Sequence, residues 1–122
     1  MTLDEYNAFC DSLPHTTHVV QWGGSHVWKI GGKVFAIGGA DAQNTLDRCS
    51  FKISRMGFDI LKEQPGLQGA PHLASRGMSW IQRTTDETMS DEELLSYIRD
   101  SYTIVSRGLT KKLQRELGLL SE

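Results

Sequence analysis

Apolar residues recur at helical spacing near both ends of the chain and at every second position between them. Near the start, Leu3, Tyr6, Phe9, Cys10 and Leu13 fall on one helical stripe. The stretch TLDE precedes it, with Thr2 placed to cap the backbone and Glu5 to reach back, and Pro14 stops the run. Near the end, SDEE at 90–93 is a second capping box with acids at the positive end of the helix dipole. Leu94, Ile98, Tyr102, Val105 and Leu109 follow on one face, Gly108 ends the run, and Thr110 restarts a short helix carrying Leu113 and Leu117.

From residue 18 to about 54 the period is two, which predicts strands. HVVQW comes first, ending at Gly23-Gly24. VWKIGGKVFAI, residues 27–37, then reads as a hairpin whose Gly31-Gly32 loop suits a type I′ turn. A regular ladder through that turn sets Ile30 opposite Lys33, Trp28 opposite Phe35 and Val27 opposite Ala36. Trp28, Ile30, Phe35 and Ile37 would then share the core face. In RCSFKIS, Cys49, Phe51 and Ile53 alternate with Arg48, Ser50, Lys52 and Ser54, so one side is apolar and the other cationic. MGFDILKEQPG predicts a short helix ended by Pro65-Gly66, and a loop of small residues leads to a strand from Met78 to Thr84. With no repeat and no linker, residues 1–122 form a single predicted domain. The predicted class is α+β: a two-layer sandwich, an antiparallel sheet with the N- and C-terminal helices packed on one face. The other face is left to water or to a partner.

Hydrophobic content of 39% and charged content of 23% suit a globular chain, and no apolar run is long enough for a membrane span. The acidic N-terminus lacks the features of a signal peptide, so a cytoplasmic protein is expected. Cys10 and Cys49, far apart and outside any metal-ligand spacing, read as buried free thiols. The net charge is −2, but residues 29–83 carry an excess of +4 and residues 84–106 an excess of −5. The basic surplus lies in mid-chain, where the strands are.

Candidate chemistry is sparse. His15, His18, His26 and His72 form no HExxH and no helical pair, so no metal site is predicted. The serines sit in no nucleophile elbow, the glycine-rich stretch matches no phosphate loop, and capping accounts for Asp91, Glu92 and Glu93. No enzyme and no cofactor are expected. What remains is a set of cations on strands and turns: Lys29, Lys33, Arg48, Lys52, Arg55, Arg76 and Arg83. They read either as the solvated outer side of a sheet or as a surface for nucleic-acid phosphates. Trp22 and Trp80 are candidate stacking residues, Trp22 being the one expected to be exposed. A small-molecule or protein-interaction module, with a pocket around Trp22, Trp80 and Arg76, is the alternative. A monomer is expected, although strand edges leave a dimer open.

The order of these segments resembles the MmcQ/YjbR family over nearly the whole chain. The resemblance is carried by SLPHTTHVVQWG, the GGK hairpin followed by Phe35 and Ala36, CSFKIS, and the Trp80 segment PHLASRGMSWIQ. It is completed by the closing pattern of Ser101, Tyr102, Val105, Leu109, Lys111, Lys112, Leu113 and Gln114. It implies a CyaY-like fold and a DNA-binding role, with two basic β-hairpin wings presented to double-stranded DNA in a double-wing arrangement. Where relatives approach the Trp80 position with a basic, His-containing pattern, this chain has Ser75, Arg76, Gly77, Met78 and Ser79. The frataxin-like fold raises iron binding by analogy, but the first helix offers only Asp4, Glu5 and Asp11.

Overall fold

The computed structural model of the chain describes residues 1–119. Helix α1, Leu3–Ser12, begins at the predicted box: Thr2 Oγ1 accepts from the Glu5 N–H at 3.1 Å, and the Glu5 carboxylate accepts from the Thr2 N–H at 3.0 Å. Strands β1 (Thr16–Gln21), β2 (Ser25–Ile30), β3 (Lys33–Ala40) and β4 (Leu46–Lys52) follow as a meander. Next come α2 (Arg55–Leu61), β5 (Leu67–Gly69), β6 (Trp80–Arg83), α3 (Asp91–Arg107) and α4 (Lys111–Glu116). The six strands form one sheet in the order β1-β2-β3-β4-β6-β5, with every neighbouring pair antiparallel. Strand β5 has no counterpart in the sequence reading, because three residues are too few to display a period.

The helices cover one face of the sheet, as the α+β sandwich requires. Tyr6 and Cys10 of α1, Phe35 of β3, Phe51 of β4, Ile81 of β6 and Leu94 and Ile98 of α3 are fully buried in one cluster. Each such aliphatic or aromatic side chain contributes about 1.5–3 kcal/mol by leaving water. Cys49 and Cys10 are free and buried, and burial pushes the Cys49 thiol up to about 12 and Cys10 higher still. Among the described residues, no helix is long and apolar enough to cross a membrane.

The hairpin turn is as predicted, with φ of 58° at Gly31, 81° at Gly32, and Ile30 paired to Lys33. Its register is not. Trp28 faces Ala36 and Lys29 faces Val34, so Phe35 is an extra residue, a β-bulge. The bulge keeps Phe35 and Ala36 both buried in the core, and it puts Ile37 opposite Val27 on the face away from the helices. Strict alternation could not reveal it, since Val34 through Ile37 are all apolar and each register reads equally well.

Candidate functional site

The register turns one set of side chains away from the helices: Val27 and Lys29 on β2, Val34, Ile37 and Gly39 on β3, Arg48, Ser50 and Lys52 on β4, and Trp80 and Gln82 on β6. Two other segments contribute to this face. The β1–β2 turn brings Trp22, and the β5–β6 connection brings Pro71, His72, Leu73, Arg76 and Met78. Between them lie two adjoining depressions, both lined by Trp22, Ile37 and Leu73.

The first, of about 600 Å³, holds the polar chemistry. Arg48, Arg76, His72, Ser50 and Gln82 line it. Gln82 is fixed in a ladder across three strands, accepting from Gln68 Nε2 at 2.8 Å and donating to Ser50 Oγ at 3.4 Å. The Arg48 guanidinium lies across Gly39, where a side chain would displace it. Its ion pair with Asp47, at 3.1 Å, is two-fifths exposed on both sides and therefore weak.

The second depression, of about 430 Å³, exists because β3 and β4 part company. Their ladder ends at Ala36 and Phe51, and the next groups along are met by α3 instead. Ser101 Oγ donates to the Phe35 carbonyl at 2.7 Å and accepts from the Lys52 N–H at 2.9 Å. One buried hydroxyl thus satisfies a carbonyl and an amide that the parted strands leave unpaired. Lys33, Val34, Lys52, Trp80 and Met78 line the resulting space together with Ile104, Val105 and Gly108 of the α3 end.

No carboxylate lines either depression, whereas Lys33, Arg48, Lys52 and Arg76 do. Among the described residues, Lys33, Lys52 and Arg76 have no ion-pair partner. Two residues at the rim hold left-handed backbone that their side chains disfavour, Trp22 at φ 52° and His72 at φ 68°. Such conformations cost about 1–2 kcal/mol and persist only where the surroundings enforce them.

The remaining predicted residues are placed differently. Lys29 shares the open face but lines neither depression. Arg55 is a brace: it donates to the Gly77 carbonyl at 2.8 Å and lies 5.2 Å from the centre of the Phe58 ring, holding the loop that carries Arg76 and Met78. Arg83 corrects the expectation of a phosphate contact. It points to the helix-covered side, is 6% exposed, and donates to the Met89 carbonyl at 2.9 Å and to Asp91 at 2.8 Å. The N-terminal ammonium meets the same Asp91 at 2.8 Å. Trp22 is 63% exposed, whereas Trp80 is only 4% exposed and forms a wall rather than a platform for stacking. His72, Gln82 and Ser101 join the site without a signal in the hydrophobic pattern, because two are polar strand or helix positions and one sits in a loop.

Elsewhere on the helix side, His18 Nε2 and His26 Nδ1 lie 3.0 Å apart, Asn7 reaches His26, and Trp28 Nε1 donates to Asn7 Oδ1 at 3.0 Å. Among the described residues, no three His, Cys, Asp or Glu side chains converge to hold a metal ion.

The sequence matches the family described as YjbR over residues 11–104. Among solved structures, the chain is similar to protein DR2400 of Deinococcus radiodurans, described with the domain DUF419. The two are 27% identical with a TM-score of 0.80, over 98% of this chain and 89% of that one. A protein from Pseudomonas syringae shares the fold at 17% identity and a TM-score of 0.64, over 85% of this chain and 98% of its own. No curated protein matches the chain.

Proposed function

The chain belongs to the YjbR family, and we propose that it is a non-catalytic DNA-binding protein that grips phosphates with the open face of its sheet. One observation supports this reading above the others: Lys33 and Lys52 line one, and Arg48 and Arg76 the other, of two adjoining depressions that no carboxylate lines. In a chain of net charge −2, such separation of sign creates a local positive field that the total conceals. Lys33 stands at the tip of the β2–β3 hairpin, Arg48 and Lys52 on β4, and Arg76 in the β5–β6 connection, so the cations come from three separate parts of the chain. Base-specific reading is not part of the proposal, since phosphate contacts position a duplex without reporting its sequence.

Titration of a short labelled duplex at several salt concentrations tests the proposal. Four neutralised phosphates give a log–log slope of about −3.6, about −0.9 for each. Replacing Lys33, Arg48, Lys52 and Arg76 by Gln together should abolish binding at low salt, with the circular dichroism spectrum unchanged. Absence of binding to the unaltered chain at low salt, or affinity indifferent to salt, overturns it.

A further inference from the structure

We infer that the depression walled by Trp80 is a binding site for a small amphipathic carboxylate, a free acid with an apolar body. The inference does not rest on DNA binding. Its first support is the distribution of charge and apolar surface. Lys33 and Lys52 lie beyond the last paired rung of β3 and β4, on either side of the gap, and among the described residues neither has an ion-pair partner. Val34, Ile37, Leu73, Met78, Ile104 and Val105 supply the rest of the wall, with Trp22 at the margin shared with the neighbouring depression. A space of about 430 Å³ with mostly apolar walls and a few convergent polar groups is the usual form of a small-molecule site.

The second support is independent. The indole N–H of Trp80 is the one buried side-chain nitrogen or oxygen without a hydrogen-bond partner among the described residues. Buried donors are nearly always paired, and this unpaired one belongs to a side chain that lines the depression. Trp80 sits directly opposite Lys52 in the β4–β6 ladder, so the two side chains are cross-strand neighbours on the same face and both line the depression. A carboxylate set against Lys33 and Lys52 brings an acceptor oxygen to that neighbourhood, while its apolar body covers Leu73, Met78 and Ile104. The other two tryptophans differ: Trp28 already donates to Asn7, and Trp22 is in water.

The test is a titration of the full chain with phenylbutyrate, phenylbutyramide and octanoate, followed by indole N–H resonances in nitrogen-15 correlation spectra. The Trp80 signal is assigned by its loss in Trp80→Phe. Both acids are expected to move it downfield and to bind about tenfold more tightly than the amide, the worth of one charge-assisted contact. Lys33→Gln with Lys52→Gln should erase that preference, and Arg48→Gln with Arg76→Gln should leave it intact. The last pair separates this site from the proposed phosphate surface, whose DNA affinity the same substitutions should weaken. Equal affinity for acid and amide, or binding of the acids with the Trp80 resonance unmoved, overturns the inference, as does no binding at millimolar acid.

Discussion

The two faces of this sheet carry the same residue types to opposite ends. On the helix-covered face, Trp28 is 3% exposed with its N–H held by Asn7, and Arg83 is 6% exposed with its guanidinium held by Asp91 and the Met89 carbonyl. Around the depressions of the open face, Trp22 is 63% exposed, and the lining residues Lys33, Lys52 and Arg76 have no ion-pair partner among the described residues. A tryptophan or a cation is thus part of the folding machinery or free for a ligand according to the face it occupies. What decides is the register, and so the bulge at Phe35 matters beyond its size: it moves Ile37 from one face to the other.

The sharpest way to break this comparison is to truncate a tryptophan on each face. Trp28→Ala leaves a cavity under α1, removes the stacking partner of His18 and takes the donor from Asn7 Oδ1, so it should cost about 3–5 kcal/mol in urea unfolding. Trp22→Ala should cost less than about 1 kcal/mol, since an exposed turn residue loses little on truncation. A loss at Trp22 as large as that at Trp28 would show that the open face is also core.

A smaller contrast lies between two arginines. Arg83→Met strands the Met89 carbonyl and leaves Asp91 to the N-terminal ammonium alone, and a cost of about 1–3 kcal/mol is expected, moderated by the half-exposure of Asp91. Arg48→Met should change stability by less than about 0.5 kcal/mol, its partner Asp47 being in water. The acid limb adds a second readout. Hydrogen bonds from the N-terminal ammonium and then from Arg83 hold the Asp91 carboxyl below its usual range. A depressed carboxylate stabilises the fold above its ordinary pKa, and that contribution is lost as pH falls through the lowered value. Urea midpoints measured from neutral pH into that acid range should therefore fall less steeply in Arg83→Met than in the unaltered chain.

How much of this was legible beforehand follows the same division. Capping boxes and apolar stripes announced α1 and α3, and alternation announced β4, because each of these signals is local. Arg83 was misplaced because the parity of a four-residue strand depends on which neighbours it joins, and β5 had no visible period. The closing pattern that carried the family resemblance turns out to be largely architectural. Ser101 bridges the parted strands, Tyr102 donates to the Pro14 carbonyl at 2.7 Å, and Gln114 donates to the Leu109 carbonyl at 2.8 Å. Its consequence for the site is indirect: by holding β3 and β4 apart, Ser101 helps to shape the depression beside Trp80.

The smallest expected effect concerns the edge of the helix side, where His18 stacks 4.6 Å from Trp28 and abuts His26. Partial burial, then the neighbouring His26, lowers the His18 pKa, against the pull of Asp11. A histidine lowered in the fold favours the neutral ring, so its contribution is present above the ordinary value of about 6.5 and is lost as pH drops through the lowered one. Because His18 is exposed on an edge strand, the loss should amount to no more than about 2 °C in the thermal midpoint between neutral pH and pH of about 5.5. His18→Gln should flatten that step. Lys33→Gln with Lys52→Gln should leave it in place, because the charges that act on His18 are those of His26 and Asp11, while the two lysines line the depression beside Trp80.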